Sequence, residues 1–356
     1  MKLQTLYMLL LTSLLAACDY LPYEAKIDFD NSELKDISAH TQAVHTAVLK
    51  AFETHNVVAI GDYHWNTPVM EAITQLVTQP KFNSKIQHIV VEFGNSRHQD
   101  LLNRYLEGKD ASTKELEKVY RDSLFFTAWM PTVYQNFFAT VRQHNLSVDA
   151  SQRIKITLAE EAFNWEKTTE HNQWKKAAST KTDHFFSTVK QSIDKKEKTL
   201  MVFGAFHIIK LPTSLAKNIE KEQLPLVTRI ELAYPGEVYT VWPLTDPTIT
   251  QALAELPEPS IISVTDSALK DVKFIDMLPK ARIRLSRLDS RDLLLSDLID
   301  AVLFVGQTQR KDVLPESVYQ DKQWLEEMDR RINIIGGKME GKYRAIIESS
   351  AALYSK

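Results

Sequence analysis

Cysteine is almost missing from this chain of 356 residues: there is one, Cys18. A lone cysteine excludes an internal disulfide framework and a cysteine-rich metal centre. Glycine is sparse, with 9 residues beside 13 prolines, which excludes collagen-like and low-complexity chains. Neither sign of charge dominates. Lys and Arg total 43 against 46 Asp and Glu, for a net charge of -3, so no basic stripe points to a nucleic-acid partner. Several motifs are missing as well. Without G-x-S-x-G there is no signature of an α/β-hydrolase serine, and without H-E-x-x-H, a P-loop or G-x-G-x-x-G there is none of a zincin or a nucleotide-binding unit. What remains is a chain with 44% hydrophobic and 25% charged residues, enough for a substantial core under an ordinary polar surface.

The position of the single cysteine is informative. Met1-Lys2 is a short positive start, and Leu6–Leu15 is an apolar run too short to span a bilayer. Leu15-Ala16-Ala17-Cys18 then resembles a bacterial lipobox, which implies a signal peptide over 1–17 and an acylated, palmitate-bearing Cys18 as lipid anchor. Asp19 resembles an inner-membrane retention signal. The expectation is a lipoprotein of the bacterial cell envelope on the periplasmic face of the inner membrane, with the bilayer as a partner.

Further along, 18–42 is polar and reads as a tether with little structure. Residues 43–310 carry the pattern of an α/β domain, with a helical insertion over about 96–150 rich in Phe and Trp, and 311–356 reads as a C-terminal helical segment packed on the same domain. Val57–Ile60, Ile86–Val91, Arg153–Leu158, Thr199–Phe203, Ile261–Val264 and Ala301–Val305 are short apolar strands. Leu226–Leu232 and Glu237–Trp242, joined by a Tyr234-Pro235-Gly236-Glu237 turn, read as an antiparallel pair. Strands separated by helices predict a mainly parallel central sheet flanked by helices.

Chemistry-bearing residues collect at strand ends. Val57–Ile60 runs into Gly61-Asp62-Tyr63-His64, and Thr199–Phe203 into Gly204-Ala205-Phe206-His207, so the chain holds two strand–G-x-x-H units. Glu92 and Glu160 close two further strands. In one parallel sheet all four side chains would share the carboxyl edge, where sites gather, with each glycine allowing the sharp turn that brings its histidine back over the edge. Two imidazoles with one or two carboxylates suit either a divalent metal whose bound water attacks or a His–carboxylate general base acting without metal. A single histidine after a strand is more often structural; the repetition is what raises this set above that reading.

Gly61-Asp62-Tyr63-His64, Val91-Glu92-Phe93-Gly94-Asn95 and Gly204-Ala205-Phe206-His207 resemble the successive signatures of the superfamily that unites erythromycin esterase-like, ChaN-like and Tiki (TraB) proteins. Ser96-Arg97, Val119-Tyr120-Arg121-Asp122 and Ala301–Gly306 extend the resemblance over roughly 45–335. Asp62 stands where the first motif commonly has Glu, and Ala205-Phe206 where close relatives have Asp-Gly. The resemblance implies a membrane-anchored hydrolase of esterase or metal-dependent peptidase type, acting on a small-molecule or peptide substrate. In that reading His64 is general base or metal ligand, with Asp62 beside it in the motif. Glu92 and His207 orient it or complete a metal site with Glu160, and Arg97 and Arg121 stabilise an anionic intermediate. The alternative is a haem-binding or other ligand-binding lipoprotein without catalysis.

Overall fold

The computed structural model describes residues 27–277, 292–307 and 313–354. The expected signal segment, Cys18 and Asp19 lie outside these residues. Eight strands form one mixed sheet: β1 Thr41–Ala43, β2 Val57–Asp62, β3 His88–Asn95, β4 Lys155–Glu160, β5 Thr199–Gly204, β6 Val238–Leu244, β7 Ser260–Ser263 and β8 Ala301–Phe304. Their spatial order is β1-β7-β8-β6-β2-β5-β3-β4. The contacts from β8 through β4 are parallel, and β1 and β7 form an antiparallel edge. This is the α/β class read from the alternation of apolar runs and helices.

Strand β2 sits in mid-sheet, and all six of its residues are buried. Its side chains alternate between two cores, as a period of two requires. Val58 and Ile60 face a core shared with the helices Val44–Thr54, Thr67–Thr78 and Thr132–Ser147; Val57 and Ala59 face a second one with Phe185, Val189 and Ile230. A third cluster joins Phe126 and Trp165 to Trp324, Ile332 and Tyr343, tying the C-terminal helices Lys322–Ile335 and Gly337–Ala351 to the body.

Two local expectations are corrected. Within the expected tether, Asn31–Ala39 is a helix: Asp30 and Glu33 form a capping box at its start, and Ile37 is fully buried in the second core. Leu226–Ala233 is a helix and not a strand. The Tyr234-Pro235-Gly236-Glu237 turn suggested a strand on either side, but Leu226, Val227 and Ile230 bury at helical spacing. The strand expected to pair with it, β6, lies parallel between β2 and β8.

Candidate functional site

The two G-x-x-H units end neighbouring strands. β2 and β5 pair with Gly61 opposite Phe203 and Asp62 opposite Gly204, so the motifs are offset by one residue and are not geometric copies. Their glycines serve close approach. A Cβ on Gly61 would lie 2.6 Å from Pro243 Cδ, and one on Gly204 would lie 2.9 Å from His64 Cε1 and 3.0 Å from Glu92 Oε2. The sharp turn in the first unit falls instead on Trp65, at φ 71°. A bulky residue rarely adopts that backbone, and such outliers concentrate at functional sites. Beyond it Asn66 caps the helix Thr67–Thr78 by accepting from the Val69 N–H, with Pro68 in the first turn.

His64 is oriented from below. Its Nδ1 lies 3.0 Å from Asp62 Oδ2, and the Tyr134 hydroxyl donates to that oxygen at 2.8 Å. A carboxylate only accepts, so Nδ1 carries the hydrogen and Nε2 is left as a lone-pair nitrogen on the edge facing Gly204 and Glu92. Trp129 stands edge-on to the ring, with centroids 4.4 Å apart. Burial works against charging His64, but the hydrogen bond and charge of Asp62 and the charge of Glu92 outweigh it and raise its pKa above the ordinary 6.5.

Glu92 occupies a β-bulge: the β3–β4 register shifts between Val91 and Asn95, and Gly94 sits at φ 119°. Bulges re-aim side chains, and this one sends the carboxylate across to β5. Its Oε2 accepts the Gly204 N–H at 2.6 Å, while its Oε1 lies 3.4 Å from His207 Nε2 and 3.6 Å from Lys181 Nζ. Burial alone would raise the pKa of Glu92; His207, Lys181 and His64 together hold it far below the ordinary carboxylate range. Glu160 behaves oppositely. It is buried, it accepts the Leu124 N–H at 2.6 Å, and burial pushes its pKa up to about 8. Two neighbouring carboxyls are thus held in opposite states at neutral pH, Glu92 ionised and Glu160 protonated.

His64, Asp62, Glu92 and His207 therefore converge as the sequence suggested, while other expected members do not join them. Arg97 is half exposed and reaches Glu166 at 3.7 Å. Arg121 is held by Glu117 and Asp321, each at 3.0 Å, with its guanidinium over Trp324. Its partners come from its own helix and from the C-terminal segment, which an isolated motif does not reveal. The expected metal set is not arranged as one. Both oxygens of Glu92 are engaged, an ammonium group takes the place beside it, and Glu160 turns to a backbone amide. Among the described residues no three His, Cys, Asp or Glu side chains are grouped to hold a metal ion.

Lys181, like Tyr134, is a residue that motif reading missed. It comes from the polar helix His171–Asp194, with Nζ 4.7 Å from the Phe125 ring centroid, and nothing local distinguishes it from the other lysines there. Above these groups opens a cavity of about 670 Å³. His64, Glu92 and Lys181 form its polar end; Phe125, Trp129 and Tyr343 are among its apolar walls.

The fold and site define a mainly parallel α/β protein with a polar cluster at the carboxyl edge of its central strands. No family model matches the chain, and no curated protein matches it in sequence. Two solved structures share the fold. One is a Bacillus cereus protein, 9% identical, with a TM-score of 0.53 over 81% of this chain and 100% of its own. The other, also from Bacillus cereus, is described as a succinoglycan biosynthesis protein; it is 10% identical, with a TM-score of 0.52 over the same shares. At such identities the likeness is one of fold.

Proposed function

We propose that this chain is a hydrolase in which His64 activates water against a carbonyl group, and that it belongs with the ChaN-like and erythromycin esterase-like proteins its motifs resemble. The Tyr134–Asp62–His64 chain carries the reading, because it fixes the imidazole tautomer that leaves Nε2 able to take a proton. His64 removes a proton from water as its oxygen attacks the carbonyl carbon, then returns that proton to the leaving group. Lys181 takes the role expected of Arg97 and Arg121: it is a cation at the cavity's polar end, placed to stabilise the developing oxyanion. Glu92, clamped by Gly204 and His207, holds that ammonium group in position. Acylation of Cys18 would tether the enzyme to the envelope membrane, the location in which we propose it acts.

Turnover of p-nitrophenyl acetate tests this. His64→Ala should lose about 10²- to 10⁴-fold in kcat, whereas a variant that hydrolyses as fast as the wild type would remove the proposal. A second reading, haem binding, draws on the same Nε2 facing an aromatic cavity, since haem iron takes axial histidine. A Soret shift that is lost in His64→Ala, without ester turnover in the wild type, would favour it.

A further inference from the structure

The cavity above His64 has a definite shape and charge. At about 670 Å³ it falls within the range of small-molecule pockets, so it is sized for a compact substrate and not for a stretch of polypeptide. One wall is a single face of the helix Gly337–Ala351, formed by Met339, Lys342, Tyr343, Ile346, Ser349 and Ser350. These residues span about 16 Å along the axis at ~1.5 Å per residue. Phe125 and Trp129 add aromatic wall to the same cavity. Between the walls the lining is apolar, and its charged groups are few. Glu92 and Lys181 neutralise one another at the reacting end. Lys342 is exposed and, among the described residues, is the charged side chain of the lining that makes no ion pair.

We propose that the substrate is an ester of an apolar acyl chain whose far end carries a negative charge. The acyl chain lies along the helix Gly337–Ala351, and its anionic end meets Lys342. This rests on the hydrolase reading above. In the reaction the water oxygen bonds to the acyl carbon and the C–O bond to the alcohol breaks. The proton held by His64 passes to the departing alkoxide, giving an alcohol and a carboxylic acid that keeps its anionic far end (a dicarboxylic acid where that end is a carboxylate), with no redox partner.

A series of p-nitrophenyl esters from acetate to decanoate, with the half-ester of sebacate as the charged counterpart of decanoate, tests the inference. The ratio kcat/KM should rise roughly fourfold for each buried methylene. The charged ester should be preferred over decanoate, and Lys342→Glu should invert that preference by about tenfold. His64-dependent turnover that is flat with chain length, or a charge preference indifferent to Lys342→Glu, overturns the substrate assignment and leaves the hydrolase reading in place. If no ester is turned over, equilibrium binding of a fluorescent dodecanoate separates the two. Saturable micromolar binding that Lys342→Glu weakens by about tenfold sustains the ligand class while the hydrolase reading falls, and absence of binding removes both.

Discussion

At the scale of single residues, the controlling relation is between Asp62 and His64. Asp62 spends one oxygen on two donors, and its Oδ1 is buried without a partner among the described residues. That arrangement favours the imidazolium, so His64 titrates above 6.5. A general base works in its neutral form, and the rate should therefore rise with pH and level off only above His64's raised pKa. Asp62→Asn removes the charge that raises it. Burial then dominates, and the rising limb should move to lower pH while its plateau drops, on the order of 10²-fold, as the ring loses its fixed tautomer. A pH profile of kcat/KM for both proteins checks this; a limb that does not move would separate Asp62 from the titration. Much of this constellation was legible because Asp62, His64, Glu92 and His207 each follow an apolar strand, and a parallel sheet presents such positions on one edge. Lys181 and Tyr134 were not legible. They project from helices, and which face of a helix meets a site is decided by packing partners far away in the chain.

At the scale of elements, Glu160 links the end of β4 to the aromatic insertion. Its carboxyl receives the Leu124 N–H, immediately ahead of Phe125 and the short helix Phe126–Trp129, which supplies cavity walls. Its pKa near 8 in the fold, against an ordinary 4.5, means that the native state holds a proton which the unfolded chain releases from about pH 4.5 upward. The unfolded state binds fewer protons across that window, so stability falls as pH rises from about 4.5 to 8. Glu160→Gln keeps an acceptor for Leu124 and removes the ionisation. It should raise stability at pH 8 by about 4 kcal/mol and leave pH 4 nearly unchanged; urea unfolding at the two pH values measures the difference, and equal effects at both would refute it. Element boundaries show why pattern alone misassigned Leu226–Ala233. A short apolar run beside a turn signal satisfies either period, and the choice falls to burial against Phe185 and its neighbours in the second core.

At the scale of the whole molecule, the cavity wall depends on how the C-terminal helices are fastened to the insertion, and Arg331 is one fastening beside the third apolar cluster and the Arg121–Asp321 pair. It is 4% exposed, and its guanidinium donates to Glu327 at 2.6 Å, to the Arg121 carbonyl at 2.6 Å and to Asp122 at 2.9 Å, between the Trp165 and Trp324 rings. Asp122 in turn binds His98 at 2.8 Å, so one side chain joins β3's following turn, the insertion and the helix Lys322–Ile335. This explains the positions of Arg121 and Asp122, whose motif suggested chemistry: they belong to the joint that sets the cavity wall. Removing one partner of a buried pair strands the others, at a cost of about 3–5 kcal/mol. Arg331→Ala should therefore lower the unfolding free energy by roughly that amount. It should also raise KM for any cavity-filling ester more than it lowers kcat, because Asp62 and His64 sit on the sheet and not on the joint. Arg331→Met, which restores apolar volume without charge, should recover part of the stability. Denaturant melts with steady-state kinetics on the three proteins check both parts. A loss in kcat with KM unchanged would place Arg331 in the service of the reacting groups, and would mean that the C-terminal helices do more than close the cavity.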